Sequence, residues 1–325
     1  MNTKSFLILF LLFNWINPTN AQYNFEAVEK NRMAKARVRT QTEWTHEYVS
    51  GRPAARGHIS TVTRFDPRGN PVEISNFNEA GRVISLIIYQ YDTRDNRVNF
   101  ERYQGNREKL ITSVRTVYDA RGNITREHGF DGANQFNTTY TYDANGRLTE
   151  ILYTENNAVT ERRQLTYSGN RTEISIFNSA NALTFRQVNT FNERGALVSE
   201  VRTSAQGAVT HSLNMQYNSA GNLIEEVRRR ENNRLDYQKN YQYDRDNRPT
   251  RIETTSANGT KFVANEYQYN TIGDLLVESF RRNERATEPS TNRFTYDSRG
   301  LYTEKDSYFA THRFRSLYKY NYEFY

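Results

Sequence analysis

The stretch Tyr142-Asp143-Ala144-Asn145-Gly146-Arg147 constrains the fold more than any other, because its pattern returns along most of the chain. An aromatic residue, Asp or Asn, two free positions and then a turn-forming residue recur eleven times, opening at Phe65, Phe77, Tyr91, Tyr118, Tyr142, Phe177, Phe191, Tyr217, Tyr243, Tyr269 and Tyr296. Each position has a mechanical task. The aromatic ends a strand, and the Asp or Asn side chain accepts hydrogen bonds from backbone N–H groups two or three residues on. Gly then takes the left-handed conformation that returns the chain antiparallel. Eight copies have Gly at the fifth position, and Asp95, Asn181 and Asn247 fill it in the other three. Asn and Asp enter that region most readily after Gly. The structural turn residues are therefore Asp66, Gly69, Asp92, Asp119, Gly122, Asp143, Gly146, Asn192, Gly195, Asn218, Gly221, Asp244, Asn247, Asn270, Gly273, Asp297 and Gly300. A twelfth copy, Tyr167-Ser168-Gly169-Asn170, is one residue shorter and predicts a tighter turn.

From Phe65 to Tyr320 the main aromatic positions are spaced by 24 to 27 residues. Such a period is two strands of eight or nine residues and two turns, and weaker turn signals do stand halfway, at Gln104-Gly105-Asn106, Asp131-Gly132 and Glu231-Asn232-Asn233. Pairs such as Tyr140 and Tyr142, Tyr241 and Tyr243, and Tyr267 and Tyr269 are two residues apart, so each pair shares one sheet face. The class is all-β, a repeat protein with a long curved or spiral antiparallel sheet of about twenty hairpin-connected strands. With ~20° of twist between neighbours such a sheet cannot be flat.

Residues 22–57 lack the period. Phe25, Val28 and Met33 fall on one side of a short helix, Ala36 to Tyr48 alternates like a strand, and the segment is expected to cap the first edge of a 58–325 repeat domain. Residues 1–21 read as a secretory signal, with Phe6 to Phe13 as its apolar run and cleavage after Ala21. No later segment approaches the ~20 apolar residues of a membrane helix. The expected location is the bacterial periplasm, cell surface or exterior.

The 325 residues include no cysteine, which excludes disulfides, thiolate metal sites and a lipidated cysteine. The net charge of +7 comes from Arg and Lys interleaved with acidic residues, a solvated alternating face more than a nucleic-acid groove. His46, His58, His128, His211 and His312 show no ligand spacing, hydrolase and nucleotide-binding signatures are missing, and the carboxylates fall at repeat positions. Neither catalytic residue, metal nor cofactor is expected. Aromatic faces stack on sugars and Arg forks grip carboxylates, so Tyr140, Tyr142, Tyr241, Tyr243, Tyr267 and Tyr269 form the candidate binding ladder for a glycan or envelope protein.

The Tyr-Asp-x-x-Gly hairpins from Phe65 to Tyr320 resemble the YD repeats of RHS-repeat proteins over about four fifths of the chain. That resemblance implies a spiralling β-sheet. In the family such sheets form shells around toxins or serve adhesion, and carbohydrate binding is ascribed to them. Here the Asp- and Pro-rich self-cleaving segment is missing, and Tyr296-Asp297-Ser298-Arg299-Gly300 is one more repeat turn. The leading expectation is a non-enzymatic exported binding or scaffold protein. One alternative is an accessory of a secretion or toxin system that cradles another polypeptide. Another is an outer-membrane β-barrel, suggested by the aromatic strand Tyr318 to Tyr325, which would otherwise be an open edge for a partner's sheet.

Overall fold

The computed structural model describes residues 25–325, and the signal-peptide reading of 1–21 lies outside them. It divides into two compact units, one of Glu161–Phe262 and one formed by the chain on either side, up to Thr160 and from Val263. Both are antiparallel β-sheet. The described residues hold one α-helix, α1 (Phe25–Lys35), one short 3-10 turn at Glu231–Asn233, and twenty-three strands, the shortest being Arg52–Pro53.

Every major turn is built alike. Asp119 donates its N–H to the Asn123 carbonyl (2.8 Å) and accepts at its own carbonyl from Gly122 N–H (3.1 Å). Its side-chain Oδ1 accepts from Arg121 N–H (2.9 Å) and Asn123 N–H (2.8 Å). The carboxylate thus serves the groups two and four residues on, not two or three, because the third N–H is already committed to the Asp carbonyl. The fifth position is left-handed in all eleven copies, with φ from 58° to 100°. That residue makes a bulge after a type I turn, which is why Tyr118 faces Ile124 in register and the ladder shifts at each aromatic. The shorter copy closes as a two-residue loop, with Ser168 opposite Arg171.

In the flanking unit the strand order corrects two expectations. Val38–Val49 lies between His58–Phe65 and Phe314–Phe324, antiparallel to both. The described part of segment 22–57 therefore caps no open edge here; its Val38–Val49 is an interior strand. Tyr318 to Tyr325 is likewise no edge awaiting a partner, since its strand pairs with Tyr302–Phe309 on one side and with Val38–Val49 on the other. The seam runs from Val38 opposite Phe324 to Glu47 opposite Ser316. Gln41 to Tyr322 (3.0 Å) and Tyr320 to Glu43 (2.9 Å) tie it through side chains.

Helix α1 packs on the turns of the same unit. Met33 and Val38 are buried with Phe65 and Leu301, and Ala36, Tyr322 and Phe324 close around them. The polar side of the helix is pinned to two turns and to one strand. Lys30 pairs with Asp95, Arg32 reaches Asp274 Oδ1 at 2.8 Å, and Glu29 accepts from the Tyr302 hydroxyl at 3.0 Å. Arg37, with φ of 56°, ends the helix in the left-handed region and releases the chain into the seam strand.

Candidate functional site

Register assigns every strand residue to one of two faces. One carries the repeat tyrosines. Its final tyrosines donate to the first carbonyl of the returning strand one repeat back: Tyr118 to Arg97 (3.1 Å), Tyr142 to Ile124 (2.8 Å), Tyr217 to Leu197 (2.8 Å), Tyr243 to Leu223 (2.7 Å) and Tyr296 to Leu275 (2.7 Å). The tyrosines two residues earlier find carboxylates instead. Tyr140 donates to Glu127 at 2.7 Å, and Tyr241 to Glu226 at 3.0 Å with Tyr237 on the same carboxylate. Tyr267 stands opposite Glu278 and Tyr269 opposite Leu275. In the candidate ladder, Tyr241 and Tyr243 belong to the Glu161–Phe262 unit and the other four to the flanking unit. There, strand Asn134–Tyr142 pairs with Ile124–Asp131 and Leu148–Glu155, and strand Lys261–Tyr269 pairs with Leu275–Phe280, so these two tyrosine pairs do not stand on neighbouring strands.

The hydroxyls of Tyr140, Tyr142, Tyr241 and Tyr243 are thus engaged in joining strands, and what they leave for a ligand is ring surface. The turn side chains are similarly engaged. Arg68 reaches the Asp92 carbonyl (3.0 Å), Arg94 the Ala120 and Asp119 carbonyls (2.8 and 3.1 Å), and Arg194 the Ser219 carbonyl (2.7 Å). At these three positions a planar fork clips one turn to the next, a task for which Arg is suited and Lys is not. Three of the turn carboxylates are held low. Asp119 and Asp92 are lowered first by the side-chain amides of Asn123 and Asn96, and Asp143 first by the Arg147 N–H.

The face opposite the tyrosines carries a cleft of about 230 Å³ in the flanking unit, lined by Thr291, Arg293, Asp306, Tyr308 and Arg315. Three neighbouring strands supply it, with Arg293 opposite Asp306 and Tyr308 opposite Arg315. Arg315 grips Asp306 through both Nε (2.8 Å) and its terminal nitrogen, and lies over the Tyr48 ring at 4.5 Å. The Tyr48 hydroxyl donates to Asp306 at 3.1 Å, and Tyr308 donates to Glu288 at 2.7 Å. Sequence reasoning missed this site because its residues share no motif; only strand register brings them together. Among the described residues no cluster of His, Asp and Glu is arranged to hold a metal ion, and no helix is long and apolar enough to cross a membrane.

Comparison with known proteins gives a match to the RHS repeat family model over residues 118–158. No curated protein matches the sequence. Among solved structures, the TcdB2-TccC3-TEV crystal structure is 12% identical, with a TM-score of 0.28, over 82% of this chain and 18% of that one. This chain therefore spans under a fifth of that protein. A porin-like protein from Bacteroides uniformis ATCC 8492 is 14% identical with a TM-score of 0.31, over 61% of this chain and 94% of that one. A porin-like protein from Bacteroides vulgatus ATCC 8482 is 12% identical with a TM-score of 0.29, over 74% and 97%. The matched segment contains the Tyr118 and Tyr142 turns, and the left-handed fifth position of those turns recurs at the other copies.

Proposed function

We propose that the chain is a non-enzymatic β-barrel of the bacterial envelope, the barrel alternative of the sequence analysis, and not an open sheet. The observation that carries this is the seam: a meander of hairpins whose first long strand, Val38–Val49, is paired with its last, Phe314–Phe324, has used both of its edges. Closing the sheet on itself is the direct way to abolish edges, and it is the geometry that an outer-membrane barrel requires.

A second reading concerns what bathes the wall, and it rests on charge. The tyrosine face holds Glu127 and Glu226 in mid-strand, and the opposite face pairs Arg64 with Glu73 (3.3 Å) and Lys319 with Glu304 (3.6 Å). A cationic side chain facing lipid at the bilayer midplane costs about 2–4 kcal/mol. These residues favour a barrel wetted on both faces, free in the periplasm and serving there as a binding or scaffold surface.

Two measurements test the readings. The chain has no cysteine, so a Thr42→Cys, Asn321→Cys pair placed opposite in the seam provides a clean cross-link. Closure requires the oxidised form to run as a faster band from cells, and a pair that stays reduced in folded protein refutes the barrel. Fractionation then assigns the solvent. Release by osmotic shock supports the aqueous barrel, whereas recovery with detergent alone supports the membrane.

A further inference from the structure

We propose that the cleft lined by Thr291, Arg293, Asp306, Tyr308 and Arg315 binds a small molecule through a carboxylate, with Arg293 as its principal contact. This stands apart from the barrel reading, since all of the groups involved lie within one unit and on adjacent strands.

The argument is a count of donors and acceptors. Asp306 is the residue that first suggests a cation site, yet its oxygens already receive Arg315 twice and Tyr48 once. It acts as the orienter of Arg315. That guanidinium, which lines the cleft, is held at two of its nitrogens and braced on the Tyr48 ring, and among the described residues its remaining nitrogen makes no hydrogen bond. Hydrogen bonding to Asp306, foremost among several influences, raises the Arg315 pKa further, so its charge is permanent.

Arg293 differs. It stands directly across from Asp306 in register, and it is exposed. Among the described residues its side chain makes no ion pair or hydrogen bond, because Arg315 has taken the carboxylate it would have used. Thr291, two residues earlier on the same strand, lines the cleft, and among the described residues its hydroxyl makes no hydrogen bond. Tyr308, whose proton goes to Glu288, offers only an acceptor lone pair.

The cleft therefore offers one free planar fork, one anchored guanidinium, a hydroxyl donor and a hydroxyl acceptor. Of the carboxylates near it, Asp306 and Glu288 are already occupied, and Glu304 pairs with Lys319. Two guanidinium groups with unused N–H groups call for an oxyanion, and the planar fork matches a carboxylate in bidentate fashion. At about 230 Å³ the cleft is smaller than the ~300 Å³ at which pockets for drug-sized ligands begin. Its occupant is a small polar acid.

The test is isothermal titration of the full chain with succinate, its neutral analogue succinamide, and inorganic phosphate. Succinate is expected to bind and succinamide not to, with Arg293→Gln weakening succinate at least roughly tenfold, the loss of one charge-assisted contact. Arg293 is exposed and unpaired, so this variant keeps its fold. Thr291→Val, on the same strand, is expected to weaken binding less, and Arg64→Gln, paired with Glu73 outside the cleft lining, to leave it unchanged. Binding of phosphate in preference to succinate overturns the carboxylate assignment. Equal binding of succinamide, no binding of succinate, or succinate binding indifferent to Arg293→Gln overturns the site.

Discussion

Gly69 offers the sharpest test of how helix α1 is held. Its φ is +81°, and an added Cβ would come within 2.2 Å of the Lys30 carbonyl oxygen and 2.8 Å of the Ala34 nitrogen, both backbone atoms of α1. Gly122 occupies the same position in another turn of the same unit, with φ of +90° and nothing within 4 Å. Substituting Ala at Gly122 should therefore show the backbone term alone, about 1–2 kcal/mol for a left-handed L-residue. At Gly69 the helix must also move away. Re-exposing Met33, now 4% accessible, removes about 1.5–3 kcal/mol of apolar burial, so Gly69→Ala should cost about 3–5 kcal/mol in all. The assay is urea denaturation of both variants, with hydrogen exchange followed over residues 25–35. Only Gly69→Ala should lose protection there. Equal losses of stability, with the helix equally protected in both, would falsify the claim that Gly69 is the contact point.

Three further outcomes follow from the repeat contacts. Tyr142→Phe removes the hydroxyl that serves the Ile124 carbonyl and should cost about 0.5–1.5 kcal/mol by urea denaturation, and an unchanged midpoint would mean the bond is not formed in solution. Arg94→Ala should lower the melting temperature slightly, at a cost below about 1 kcal/mol for an exposed clip. Arg94→Lys should not restore it, because an ammonium cannot span two carbonyls; full rescue by Lys would show that only charge matters. Asp92, Asp119 and Asp143 have folded pKa values below their unfolded ones, so their contribution is fully present above the ordinary carboxylate range. It is lost as pH falls through the lowered values. The urea midpoint should drop below about pH 4. Replacing the three with Asn, which already serves at Asn192, Asn218 and Asn270, should blunt that drop, and an identical acid limb in the variant would assign it to other groups.

The turns were legible because their chemistry is local. A left-handed fifth position and a capping side chain are properties of five consecutive residues, and even the Asn-for-Gly exchanges at 181 and 247 carry positive φ. Helix α1 was legible in outline, since Met33 does lie on its packed side. Its partners were not, because Asp95, Asp274 and Leu301 are related to it by tertiary position and by no spacing. The same holds for the seam. Ala36 to Tyr48 reads as a strand, and nothing local in it names Phe314–Phe324 as its neighbour. Arginine in the turns looked like solvated charge, and the clip from Arg94 to a carbonyl 26 residues on appears only when repeats stand side by side. The cleft was least visible, for Arg293, Asp306 and Arg315 are unremarkable members of three alternating strands.

The seam also sets a clock. Contacts between successive strands span a few to some twenty residues, so most of this wall can form by short-range propagation, fast and in any order. The pairing of Thr42 with Asn321 is of a different kind, waiting on a segment nearly the whole chain away. Until Phe314–Phe324 arrives, Val38–Val49 presents one unpaired row of backbone groups to whatever is nearby. In that interval neighbouring copies can pair edge to edge, which makes the last hairpin the step that separates a finished sheet from an aggregate.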